Sequence, residues 1–214
     1  PVPAPYIIKT VLPLNDLHRD ILALHGEALA AQGMGAPAVW KRPRYAWLPF
    51  VNKPDTSGAA SLEFSMLKNQ IRTDALLLTN AGARPLTVRI QLQNPPAGAQ
   101  DGWLKLDSAI WTDTYQGVPV QDALLPLKAE NGAYSLEIPA GVTGKLWATV
   151  DTSRVPAGSY RSTLLLRGAG REVAAPLNLQ VSTIAMNTPR LSLGTWDYTN
   201  GKGTYGITVE NRAA

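Results

Sequence analysis

Beyond Ser61 the chain alternates apolar and polar residues with the two-residue period of a strand. Leu62, Phe64 and Met66 interleave with Glu63, Ser65 and Leu67, and the run Ala75 to Thr79 leads into Asn80-Ala81-Gly82-Ala83. Alternation resumes at Leu86, Val88, Ile90 and Leu92, and two strands around an Asn- and Gly-bearing turn predict a hairpin. The same pattern predicts strands around Trp103 to Thr112, Val118 to Pro126, Tyr134 to Ile138, Lys145 to Val150, Ser159 to Arg167, Arg171 to Val181 and Arg190 to Trp196. The short intervals between them, rich in Gly, Pro and Asn, leave no room for crossover helices. The fold class predicted is therefore mainly β, an immunoglobulin-like antiparallel β-sandwich.

Residues 1 to 60 follow a different pattern. Leu17, Ile21, Leu24 and Ala28 recur at helical spacing, Asn15 or Asp16 can cap the start, and Gly33 and Gly35 mark the stop. These signals predict one N-terminal helix over about residues 15 to 32. Next comes Trp40-Lys41-Arg42-Pro43-Arg44-Tyr45-Ala46-Trp47-Leu48-Pro49-Phe50, where two prolines forbid a continuous helix and an extended or coiled segment is expected. The loop Asn52 to Ala60 closes this part. The expected organisation is an N-terminal helix with an aromatic and basic segment (1–60), a sandwich (61–189), and a linker or first strand of a truncated barrel (190–214).

Composition narrows the function classes. The 214 residues include 18 Gly and 17 Pro, as expected for a turn-rich domain, and no Cys. The missing thiols exclude a disulfide scaffold, a thiolate metal site and a cysteine nucleophile. The formal charge is only +4, with Lys41, Arg42 and Arg44 the one tight basic group, so nucleic acid is not the expected partner. No apolar run approaches the roughly 20 residues of a membrane helix, and the opening Pro1-Val2-Pro3 reads as a processed, cut or truncated N-terminus.

Few segments offer chemistry. Val155-Pro156-Ala157-Gly158-Ser159-Tyr160-Arg161 fits a tyrosine corner, in which the phenol reaches back to a backbone carbonyl at the edge of the sandwich. Trp40, Arg42, Tyr45 and Trp47 are the candidate ligand-binding residues, because flat rings stack on the C–H faces of sugars while adjacent cations bond hydroxyls or acidic groups. Against that stands the ordinary tendency of Trp to be buried, which would make the same residues anchors of the N-terminal segment. Trp103, Trp111 and Trp147, in predicted strands, are expected to pack in the core or between the sheets. His18 and His25, two helical turns apart, cannot chelate one metal without a third ligand, and no metal or other cofactor is expected. Asp107, Asp113, Asp122, Glu130 and Glu137 are the acids from which a glycosidase pair would have to be drawn, though nothing in their spacing makes any two converge. Asp151 reads as an Asx-turn residue. With no nucleophile elbow, phosphate loop or zincin motif, no catalytic residue is assigned.

Three segments together resemble one family. Met66 to Asn80, the corner Pro156 to Tyr160 leading into Pro176-Leu177-Asn178-Leu179-Gln180-Val181, and the strand ending Trp196-Asp197-Tyr198 are similar to the β-sandwich region ahead of the catalytic barrel in bacterial glycoside-hydrolase-like proteins, glycoside hydrolase family 123 and its uncharacterised relatives. The resemblance covers about residues 60 to 200. It implies a secreted or periplasmic location, a glycan or polysaccharide as partner, and a barrel domain C-terminal to the sandwich. Trp196, Asp197 and Tyr198 would then sit at the end of the first barrel strand, where substrate contacts are made. The leading expectation is a non-catalytic module of a carbohydrate-processing protein, a scaffold with a glycan contact. The alternatives are the N-terminal part of an active glycosidase and a protein–protein assembly subunit that docks through the helix bearing His18 and His25.

Overall fold

The computed structural model describes residues 11–114 and 117–187. The predicted strand at 190–196, the residues Trp196, Asp197 and Tyr198, and the 190–214 segment lie outside the described residues. Helix α1 (Asp16–Ala31) is followed by strands β1 (Ala38–Trp40), β2 (Leu62–Lys68), β3 (Ile71–Thr79), β4 (Leu86–Gln93), β5 (Leu104–Asp113), β6 (Pro119–Pro126), β7 (Tyr134–Ile138), β8 (Thr143–Asp151), β9 (Gly158–Gly168) and β10 (Arg171–Ala185). They form two five-stranded sheets, ordered β1-β3-β8-β5-β6 and β2-β10-β9-β4-β7. The predicted class holds: the protein is mainly β, an immunoglobulin-like sandwich with one N-terminal helix.

Alternation builds the core. Leu76 and Leu78, Leu106, and Leu146, Ala148 and Val150 belong to the first sheet; Leu62, Phe64 and Met66, Val88 and Ile90, Leu164 and Leu166, and Leu177, Leu179 and Val181 belong to the second. All are buried in one cluster, at up to about 3 kcal/mol per large aliphatic side chain. Trp103 joins this core, as expected.

Three features differ from the sequence reading. β3 and β4 do not form a hairpin: β3 pairs with β1 and β8, whereas β4 pairs with β7 and β9. The turn after Thr79 instead carries the chain from one sheet to the other. Asn80 holds that crossing, its amide nitrogen donating to Arg84 O at 2.8 Å and to Ile138 O and Pro139 O at 3.1 Å each. Secondly, the β2–β10 ladder is parallel, with Leu177 opposite Leu62 and Val181 opposite Met66; the other ladders are antiparallel.

Thirdly, α1 presents another face. Asn15 caps it, accepting from His18 N at 2.8 Å, but the buried residues are Leu22, Gly26 and Leu29. Leu17, Ile21, Leu24 and Ala28 are exposed. Gly26 decides the orientation, because a side chain there would collide with the Gly82 carbonyl and crowd Gly141 N at 3.0 Å. His25 then donates from Nδ1 to Gly141 O at 2.9 Å. Close approach of backbone to backbone outweighs the larger apolar stripe.

The corner forms as read: Tyr160 donates its hydroxyl to Pro156 O at 2.9 Å. Asp151 accepts from Ser153 N at 2.9 Å and caps the 3-10 turn Thr152–Arg154.

Candidate functional site: an aromatic cleft on the outer face of the first sheet

The segment after β1 returns across the outer face of the first sheet. Two prolines keep it out of a helix, and apolar anchors pin it. Trp40, Leu48 and Leu77 form a second small core against which Trp111 packs, and Phe50 meets Trp111 edge to face at 4.9 Å. Polar groups complete the attachment. Trp40 Nε1 donates to Thr79 Oγ1 at 3.0 Å, Thr79 and Thr143 share a hydroxyl contact of 2.7 Å, and Thr143 Oγ1 donates to Asn52 Oδ1 at 3.1 Å. Because Thr143 gives its proton to Asn52, Thr79 is the donor between the two threonines. Trp111 Nε1 and Gln121 Nε2 both donate to Thr143 O, at 3.0 and 2.9 Å.

Trp40 is therefore corrected as a candidate ligand-facing residue. It is 1% exposed, held by both its ring and its N–H. Arg42 stands over it with its guanidinium carbon 5.9 Å from the ring centroid. Tyr45 and Trp47, by contrast, are 76% and 60% exposed. Tyr45 lies over Trp147 with ring centroids 5.7 Å apart at 54°, and the Arg44 guanidinium stands 4.7 Å from the Tyr45 ring. Hydrogen bonding from Arg44 holds the Tyr45 phenol below its ordinary pKa, with a smaller contribution from Thr73.

These rings line a cleft of about 480 Å³. Its floor comes from β8, where Leu146, Ala148 and Val150 face the core and leave Lys145 and Trp147 on the outer side. Gln121 and Asp122 come from edge strand β6 and also line it. Ile110 pairs with Ala123 while the next residue, Trp111, pairs with Gln121, so Asp122 is the extra residue of a β-bulge, a device that re-aims side chains at a sheet edge. Larger hollows exist beside α1, about 680 Å³, and over the second sheet, about 1000 Å³. Neither brings several large rings together with a buried cation.

Lys145 is the unusual group. It is 8% exposed, and among the described residues its ammonium reaches only Arg44 O, at 3.4 Å. Among the described residues no carboxylate lies within 4 Å of it. Burial alone lowers its pKa from the usual 10.5. The charged groups around it are Arg44 and Asp122 in the cleft, and Asp107 with Lys105 one pair along the ladder. A base whose pKa falls on folding binds its proton more readily in the unfolded chain, so stability rises with pH between the lowered value and 10.5. Lys145→Met, which removes the desolvated charge and keeps the packing, is expected to stabilise the fold at neutral pH by roughly 1 kcal/mol or more and to flatten that rise; thermal unfolding from pH 7 to 10.5 measures both.

The other acids do not assemble with it. Asp107 is buried and pairs with Lys105 at 3.0 Å. Asp113 accepts from Val11 N and Leu12 N, Glu130 sits in an isolated bridge with Ala133, and Glu137 lines the hollow beside α1. Sequence reasoning missed Lys145 and Gln121, and read Trp147 as core. The alternation Lys145-Leu146-Trp147-Ala148 held the signal that Lys145 and Trp147 share an outward face.

No protein-family model matches the sequence, and no curated protein matches it. Solved structures give weak likenesses. A family 123 glycoside hydrolase from Clostridium perfringens aligns at 10% identity and a TM-score of 0.38, over 58% of this chain and 23% of that one. The chain thus spans about a quarter of that enzyme's length. A PapD-like domain of human CEP192 aligns at 11% identity and a TM-score of 0.36, over 71% and 89%. The C-terminal domain of the Streptococcus agalactiae polypeptide BspA aligns at 11% identity and a TM-score of 0.34, over 59% and 46%. These are similarities of fold. Among the described residues no helix is long and apolar enough to cross a membrane.

Proposed function

We propose that this chain is a non-catalytic β-sandwich module of an exported bacterial carbohydrate-processing protein, and that it contacts glycan through the cleft of Tyr45, Trp47 and Trp147. The observation that carries the reading is the exposure of Tyr45 and Trp47 beside Trp147. Large rings left in water on a folded surface are costly to solvation and suited to stacking on the apolar faces of sugar rings. Lys145, Gln121 and Asp122 supply polar groups at the same cleft for hydroxyls and substituents. Of the five candidate acids, all among the described residues, Asp122 alone lines this cleft, and a glycosidase pair needs two, which supports contact rather than hydrolysis.

The test is calorimetric titration of the protein with a panel of acidic and neutral oligosaccharides, repeated with Trp47→Ala and Tyr45→Ala. At least one oligosaccharide is expected to bind, and each variant to weaken it about tenfold, the equivalent of one lost stacking contact. Binding untouched by both changes, or no binding across the panel, would remove the glycan contact and leave the scaffold.

A further inference from the structure

We infer that the ligand this cleft takes is an anionic sugar, one bearing a carboxylate or a sulfate, whose charge is met by Lys145 and Arg44 while its ring lies on the aromatic side chains. The inference rests on the glycan reading above and adds the charge of the ligand to it.

The geometry of the sheet face is the argument. Lys145 lies in a cross-strand row between Leu77 of β3 and Ala109 of β5, so its near neighbours along the ladder are apolar. A cation buried in such a place is normally paired with an acid or replaced by an aliphatic side chain, since an unpaired buried charge is costly. Here the nearest partner is the Arg44 carbonyl at 3.4 Å. Asp107, diagonally placed on the same face, is held by Lys105 at 3.0 Å, which leaves Asp122 as the carboxylate lining the cleft.

The loop above adds positive charge. Arg44 lines the cleft, and Arg42 precedes it; among the described residues neither forms an ion pair. Lys41 is committed elsewhere, to Asp74 at 2.5 Å and Ser61 O at 2.6 Å. Two further buried polar atoms of cleft residues, Arg44 Nε and Gln121 Oε1, have no hydrogen-bond partner among the described residues. A neutral sugar would leave the lysine charge with no carboxylate within 4 Å among the described residues. An anion would supply a counterion in a site where water is partly excluded and the pairing is correspondingly strong.

The experiment is calorimetric titration with tetragalacturonate, its fully methyl-esterified counterpart, a chondroitin sulfate tetrasaccharide, its desulfated counterpart and cellotetraose, using the wild type, Lys145→Met, Lys145→Arg and Arg44→Gln. Thermal unfolding of each variant verifies that it folds. At least one anionic probe is expected to bind about tenfold or more tighter than the two neutral ones, and Lys145→Met to lose that preference while Lys145→Arg keeps most of it. Arg44→Gln should weaken the same probe with the sheet face untouched. Preference for tetragalacturonate assigns the charge to a carboxylate, and preference for the chondroitin sulfate fragment over its desulfated counterpart, which keeps the glucuronate carboxylates, assigns it to a sulfate. Binding in which no anionic probe is preferred over the neutral ones, still dependent on Trp47, overturns the anionic assignment while sparing the glycan contact. No binding by any probe overturns both.

Discussion

Gly141→Ala is expected to destabilise the protein by about 3 kcal/mol, and Gly26→Ala by about 2 kcal/mol. The two glycines face each other where α1 meets the loop between β7 and β8. Gly141 has φ +64°, in the left-handed region, where a Cβ costs roughly 1–2 kcal/mol, and a methyl group there would also collide with the Leu22 carbonyl. At Gly26 the methyl would strike the Gly82 carbonyl. Both obstacles are backbone and cannot rotate away. The gain in helix propensity from Gly to Ala, about 1 kcal/mol, makes the Gly26 change the milder one. Either collision is relieved by lifting α1, which gives up burial of Leu22 and Leu29 and the His25–Gly141 bond. Lifting the helix once removes the obstacle to the second methyl, so the double variant should cost clearly less than the sum. Urea denaturation of the two single variants and the double variant measures this, and strictly additive effects would show that the two glycines do not act through one docking.

Asn80→Ala should cost about 3 kcal/mol, and Asn80→Asp more. The amide nitrogen of Asn80 serves three carbonyls, Arg84 O, Ile138 O and Pro139 O, in a residue only 1% exposed. Alanine leaves these acceptors without their donor, at about 1–3 kcal/mol for each buried group that finds no water. Aspartate is nearly the same size but places an ionised oxygen, with no proton to give, against the same carbonyls. If cavity formation were the main effect, aspartate would be the gentler change. The order of the two variants in denaturant midpoint therefore separates hydrogen bonding from volume. The backbone of Asn80 extends the β3–β8 pairing, with its N–H on Val142 O at 3.0 Å and its carbonyl accepting from Gly141 N at 3.1 Å. A weakened crossing should thus be felt at both sheets.

The sandwich was legible because period-two alternation is a property of each strand by itself. Leu146, Ala148 and Val150 face inward whatever strand lies beside them. Partner choice is different. The Asn80 to Ala83 segment has the composition of a hairpin turn, yet Asn80 turns its side chain to carbonyls nearly 60 residues away and sends the chain to the other sheet. The helix misled in a related way: the stripe Leu17, Ile21, Leu24 is the more apolar face, but Gly26 sets the docked one by permitting contact that no larger residue allows. At the site, the aromatic segment was visible as composition, and Tyr45 and Trp47 could be named from it. Trp40 could not be separated from them, because the Thr79 hydroxyl that accepts its N–H lies 39 residues away. Alternation put Lys145 on the outward face, but its burial was invisible for the same reason. Its burial is produced by a loop that lies about a hundred residues earlier in the chain.

The most direct test of the aromatic cleft is the set of indole N–H resonances in a ¹⁵N-labelled sample, assigned by single Trp substitutions and followed through titration with the acidic and neutral tetrasaccharides named above. Trp47 and Trp147 should shift in a saturable way with the bound sugar, while Trp40 and Trp103, buried beneath the segment and in the core, hold their positions. Saturable shifts at Trp103 or along α1 with Trp47 and Trp147 unmoved, or no shift at any indole at millimolar sugar, would contradict the account.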